Sequence, residues 1–160
     1  QLQSLFRQPR AIDRLHARIV DCSSAHPGYP ADLILDGDPK TMWHTPWGEN
    51  APGFPHTLVI ALDAVTPLRG LELTPRNDNN RNGWIREYTV ELSRDGEQWT
   101  EAASGSLSND ARVKQVLFGS GVAEARFIRL IARSGFTPDA PFASLAELDL
   151  FRPEAGSPTP

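Results

Sequence analysis

Cysteine is almost missing from this chain of 160 residues: Cys22 stands alone. That excludes an intrachain disulfide and any zinc site built from several thiolates. Long apolar runs are missing as well. A stretch such as Leu58–Leu62 falls far short of the roughly 20 residues a membrane-spanning helix needs. There is no excess of positive charge, because 16 Lys and Arg face 20 Asp and Glu for a net −4. The chain as a whole is therefore not drawn to phosphate backbones or anionic membranes, so neither nucleic acid nor a membrane is an expected partner. Catalytic signatures are absent too. The chain has no Gly-x-Ser-x-Gly elbow, no HExxH, no phosphate-cradling Gly loop and no twelve-residue helix–loop–helix calcium pattern. No motif marks a carboxylate pair for acid–base work. Cys22, beside Ser23 and Ser24, has no paired His and reads as a small buried residue. The chain is not expected to be an enzyme. It opens on Gln1 without a signal peptide and reads as a piece of something larger.

What the sequence has in quantity is turn formers: 12 Gly and 14 Pro favour many short elements over long helices. Hydrophobic residues at 39% allow a real core. Residues 1–16 differ from the rest. Leu2, Leu5, Phe6, Ile12 and Leu15 are spaced roughly like one helical face, broken by Pro9, and this segment reads as an upstream connector. Residues 153–160 have linker composition. Between them, residues 17–152 show a β pattern. Thr57–Leu62 is an apolar run of strand length. Leu68–Thr74 follows, stopped by Pro75. In Ile85–Leu92, Tyr88, Val90 and Leu92 share one face. Asp95-Gly96 marks a tight turn into Gln98–Ala103, with Trp99 expected in the core. Val113, Val116 and Phe118 mark another strand, and Phe127–Ile131 and Leu145–Phe151 complete the set. Seven or more short strands indicate an all-β sandwich or barrel.

The densest signal is Leu33-Ile-Leu-Asp-Gly-Asp-Pro-Lys-Thr-Met-Trp-His-Thr45. Asp36, Asp38 and Thr41 lie in one loop that turns at Gly37. Calcium takes six to eight oxygens from carboxylates, carbonyls and hydroxyls, and such a loop can aim them inward. An Asp-Gly turn held by an Asx hydrogen bond explains the same spacing.

Asp36-Gly-Asp-x-x-Thr-x-Trp-His-Thr45 resembles the signature of discoidin-type domains, the coagulation-factor V/VIII type C superfamily, and is similar in particular to family 32 carbohydrate-binding modules. Pro55–Leu62, Thr74-Pro-Arg76, Asn82–Val90, Ser93–Trp99, Ala125–Leu130 and Ala143–Leu148 agree with that family in order. The resemblance implies a jelly-roll β-sandwich of about eight antiparallel strands, galactose-binding-domain-like. It also implies one structural calcium ion. The ligands carried over are Asp36 and Thr41 by side chain, Leu33 and Asp38 by backbone, and Ala146 and Glu147 from the last strand.

A neutral sugar needs a flat aromatic for its C–H face and fixed polar groups for its hydroxyls. The resemblance implies that His44 and Arg76 contact an axial O4, that Asn82 reaches O3 or O2, and that Trp47 and Phe142 flank the ring, with Phe136 as the alternative aromatic. Plainer roles stand beside these. His44 can be a structural hydrogen-bonder, and Arg76 can pair with Glu87 or Asp78. Trp43 reads as packing, Trp84 as either packing or site, and His56 as structural. His26 and Tyr29 are candidates for the rim. The expected function is a lectin-like module of a secreted or surface bacterial glycan-processing protein, bringing a neighbouring domain to galactose-bearing glycans such as those ending in galactose, lactose or N-acetylgalactosamine. A structural accessory domain of a glycoside hydrolase and a discoidin-type phospholipid or protein binder are the alternatives.

Overall fold

In the computed structural model the described residues are 10–12 and 14–153. Leu2, Leu5 and Phe6 of the expected helical face, and the tail from residue 154, lie outside them. The strands are β1 (Arg10–Ala11), β2 (Ala17–Cys22), β3 (Trp43–His44), β4 (His56–Leu68), β5 (Gly70–Thr74), β6 (Glu87–Ser93), β7 (Thr100–Ser106), β8 (Lys114–Leu117), β9 (Ala123–Ala132), β10 (Ser144–Leu145) and β11 (Glu147–Arg152). Three of these are two-residue pieces. The other eight form an antiparallel sandwich, with β2-β4-β9-β6-β7 in one sheet and β11-β5-β8 in the other, the latter edged by β1.

Alternation along each strand builds the core. Leu58, Ile60 and Leu62 of β4 point inward, each no more than 2% exposed. The register sets Leu130 of β9 between Leu58 and Val90, and Ile128 between Ile60 and Leu92. Opposite them, Leu148 pairs with Leu73 and Leu150 with Leu71, which in turn pairs with Val116. Each such side chain contributes about 1.5–3 kcal/mol by burial. Thr57–Leu62 looks like a continuous apolar run because its outer face is also covered: Val59 and Ala61 are buried.

Several local expectations need correction. The connector expected over residues 1–16 overlaps the fold: Arg10–Ala11 pairs with β11, and Ile12 is buried. The open edge of β11 supplies the reason, since Ile12 N–H donates to the Leu150 carbonyl. Trp99 is not a core strand residue. It precedes β7, is only partly buried, and lies under the Arg129 guanidinium at 4.1 Å. Val113 lies outside β8 and is exposed. Ile85 precedes β6 and makes an isolated bridge to Gly135.

The fold brings three loops to one end. β3 is zipped between them: His44 pairs with Ser144 of β10, His26 N–H donates to the His44 carbonyl, and His44 N–H donates to the Tyr29 carbonyl. The β5–β6 loop docks at the same place, where Ser144 N–H donates to the Gly83 carbonyl. Gly83 sits at φ +89°, and a Cβ there would come within 2.4 Å of Ser144 Oγ. Only glycine permits that approach.

Candidate functional site

The Asp36 loop turns at Gly37 with φ +76°. Asp36 Oδ1 accepts from the Asp38 N–H at 2.9 Å, the Asx turn the spacing allows, and Asp36 Oδ2 accepts from Thr41 Oγ1. Glu147 at the start of β11 comes against this loop. It is 3% exposed, and neither carboxylate oxygen has a hydrogen-bond partner. Arg14 Nη1 approaches Glu147 Oε2 at 2.7 Å as an ion contact without hydrogen-bond alignment, while its Nε and Nη2 fork Asp149. Burial and the adjoining Asp36 carboxylate push Glu147 up to about 7. A buried carboxylate without hydrogen-bond partners, set against the exposed Asp36 carboxylate, is donor chemistry a hard cation fits. Among the described residues no group of three or more His, Cys, Asp or Glu converges. An ion here would therefore draw most of its oxygens from backbone carbonyls and Thr41.

At the end of the sandwich an open cleft of about 470 Å³ is lined by Tyr29, His44, Trp47, Gly48, Arg76, Asn80, Asn82 and Phe142. His44 is 4% exposed, and its Nδ1 lies 2.6 Å from the Thr45 carbonyl. A carbonyl can only accept, so Nδ1 carries the proton and Nε2 of the neutral ring is left as an acceptor. Burial pushes the His44 pKa down, which favours that neutral form. Arg76 is 8% exposed and held in a fork by Asp78 at 3.0 and 2.8 Å, and its Nη1 donates to the Asn82 carbonyl. Three of its five N–H groups are thereby used, and two remain for the cleft.

Trp47 is 44% exposed, the one Trp in the chain with an open ring. His26 stacks on it at 3.3 Å between centroids and 7° between planes. Tyr29 and His44 meet it edge-on. Phe142 stands 5.6 Å from His44.

Of the residues singled out in the sequence, the cleft gathers His44, Trp47, Arg76, Asn82 and Phe142, with Tyr29 from the rim candidates. Phe136 is half-buried and does not line it. His26 reaches the site through Trp47. Arg76 makes the expected pairing with Asp78, which orients its guanidinium, and it also lines the cleft. Asn80 was missed as a contributor to the cleft lining. Its only signal was membership in the polar run Asn77–Arg81, which by composition is an ordinary solvated loop. Trp43 is core, with Nε1 donating to the Ser24 carbonyl. Trp84 is packed, with Nε1 on the Arg76 carbonyl. His56 is buried, and its Nε2 donates to the Pro141 carbonyl.

The F5/8 type C domain profile matches residues 19–148. Among curated proteins, the chain is 38% identical over 135 residues to galactose oxidase of Gibberella zeae, covering 83% of this chain and 19% of that protein. It is 32% identical over 144 residues to a sialidase of Micromonospora viridifaciens, covering 87% and 22%. The chain thus spans about a fifth of the length of these relatives. Among solved structures, the family 32 carbohydrate-binding module of Clostridium perfringens NanJ, in complex with galactose, superposes with TM-score 0.81 at 28% identity, covering 91% of this chain and all of that one. A second family 32 module from Clostridium perfringens, in complex with GalNAc-β-1,3-galactose, has TM-score 0.80 at 25% identity, covering 89% and 99%.

Proposed function

This chain belongs to the F5/8 type C domain family, and we propose that it is a non-catalytic carbohydrate-binding module for galactose-type sugars. One observation carries the reading. An acceptor-only His44 Nε2 and a clamped Arg76 guanidinium face one cleft beside an exposed Trp47. An acceptor and a donor lining one cleft are what a hydroxyl satisfies, since it can give to His44 and take from Arg76. The hydroxyl assigned to this pair is the axial O4. Asn82 reads O3 or O2, and Trp47 and Phe142 flank the ring. Such a shallow site binds weakly, because few atoms are buried and hydroxyl desolvation offsets the hydrogen bonds. The exposure of Trp47 favours this reading over a purely structural accessory domain, in which that ring would be packed away.

The proposal includes a calcium ion held by Asp36, Thr41, the backbones of Leu33 and Asp38, Ala146 and Glu147. The buried Glu147 carboxylate, set against Asp36 and without a hydrogen-bond partner, supports it. The ion would supply structural cross-linking of the first loop to the last strand. The coverage of a fifth of longer relatives supports a role as one part of a larger glycan-active protein acting outside the cell, delivering its neighbour to galactose-bearing glycans. Isothermal titration with galactose and lactose, with glucose as control, tests the sugar assignment. Heats for the first two and none for glucose are expected. Equal or absent heats for all three would overturn it.

A further inference from the structure

We propose that the module has a second subsite beside the galactose cleft, one that takes an acidic sugar unit bearing a carboxylate or a sulfate ester. This rests on the galactose reading, because the subsite receives what extends from the sugar held there. A separate cleft of about 250 Å³ shares Arg76 and Asn80 with the main one, and Asn77, Asn79, Arg81, Trp84 and Ala111 complete its wall. Its volume suits a single sugar ring or a compact anionic group.

The chemistry of the two clefts differs. The main one is walled by Trp47, Phe142, Tyr29 and His44. The second is walled by three amides, two arginines, Ala111 and the buried Trp84, with no carboxylate among them. Arg81 is exposed and enters no ion pair among the described residues. Its guanidinium sits 5.3 Å above the Trp84 ring. That ring is 9% exposed and fixed through its Nε1 on the Arg76 carbonyl, so it acts as a rigid rest for the cation. The acids nearby are already engaged. Asp78 is forked by Arg76, and Asp110 is gripped by Lys114 Nζ at 2.7 Å. Asn80 Oδ1 accepts from the Asn82 N–H at 2.8 Å, which leaves its amide NH₂ as the free end, a donor. An incoming anion therefore meets one unpaired positive charge and amide donors, and no competing carboxylate in the wall.

Direction follows from the loop. Asn80 lines both clefts and Asn82, two residues on, lines the first. If Asn82 reads the O3 edge of galactose, a group on that oxygen leads past Asn80 toward Arg81. A substituent on O6 does not.

Titration calorimetry on the whole chain and on Arg81→Gln tests this with four probes. They are lactose, lactose with a sulfate on the galactose O3, lactose with N-acetylneuraminic acid on that oxygen, and lactose with a neutral galactose there. Both acidic probes should bind the wild type about fivefold tighter than lactose, the scale of an exposed ion pair, and that advantage should shrink as salt rises. The neutral extension should gain nothing. In Arg81→Gln the advantage should vanish, with lactose affinity unchanged and the thermal midpoint lowered by no more than about 2–4 °C, the scale of the lost contact with Trp84. A gain for only one acid would also support the subsite and name its source. Lactose binding with no acidic advantage, or an advantage that survives Arg81→Gln, would overturn the subsite alone. Absence of lactose binding would overturn the galactose reading and the subsite together.

Discussion

Trp47→Ala should weaken lactose binding about tenfold while leaving the domain folded. The indole is 44% exposed, and His26 covers one of its faces. A pyranose that covers about 60 Å² of the open face gains about 1.5 kcal/mol at about 25 cal/mol per Å², a factor of about ten in Kd. In the free protein the substitution removes the His26 stack and the edge contacts to Tyr29 and His44. Those are worth about 1 kcal/mol, which lowers the melting midpoint by about 2–4 °C. Trp43→Ala is the contrast. That ring is 1% exposed and its Nε1 is bonded to the Ser24 carbonyl. Its loss should cost about 3–5 kcal/mol and leave the affinity of the folded fraction unchanged. His26→Ala separates the ring from its support: affinity should fall although Trp47 is intact, and His26→Phe should restore it by restoring the stack. Calorimetry reads affinity and differential scanning fluorimetry reads the midpoint. If Trp47→Ala unfolds the domain or leaves the lactose Kd untouched, the assignment of Trp47 as the sugar platform is wrong.

Acidification should weaken both fold and binding through His44. Burial lowers its folded pKa, with Arg76 and His26 acting the same way and Asp78 opposing, so the unfolded chain binds the proton more readily. Stability should therefore fall as pH drops below about 6.5, the unperturbed histidine value. Lactose affinity should fall in the same direction as Nε2 ceases to accept; pH-resolved titration showing a flat or rising affinity would remove the acceptor role. His44→Ala and Arg76→Ala should each cut affinity, and their losses should fall short of adding in a double-mutant cycle, because both face one hydroxyl. Asp78→Asn should reproduce part of the Arg76 loss by loosening the fork, with the fold intact by circular dichroism. A calcium chelator should lower the melting midpoint: an ion at about 100 times its Kd adds about 2.7 kcal/mol. Asp36→Ala should melt lower and no longer respond to chelator. No metal by elemental analysis, with an unchanged midpoint, would overturn the calcium proposal.

The strand core was legible because alternation survives in sequence. Val90 and Leu92, and Leu71 and Leu73, each mark one face of a strand without help from partners. Where tertiary contact outweighed local pattern, the reading slipped. Arg10–Ile12 carries no strand signal, yet the free edge of β11 recruits it. Trp99 has core composition, yet the turn ahead of β7 sets it on the surface, where Arg129 covers it. Phe136 and Phe142 are equivalent by type, and the β9–β10 connection brings only Phe142 to the cleft.

The sequence by itself determined the all-β class, the Asp36 loop with its Gly37 turn, and the residue types a sugar site needs. Each of these rests on local chemistry: a period of two along a strand, a backbone position with positive φ that suits glycine, and the hydrogen-bonding capacity of a side chain. Only the tertiary structure decided which groups act together. His44, Arg76 and Phe142 come from three separate segments, the first in β3 and the others in loops, and β3 pairing with β10 and Gly83 docking on Ser144 bring them to one cleft. The proton on His44 Nδ1, the Asp78 fork on Arg76 and the His26 stack beneath Trp47 are likewise set by neighbours. Ring orientation and protonation depend on distances of a few ångströms between groups up to about a hundred residues apart, and no spacing along the chain encodes those distances.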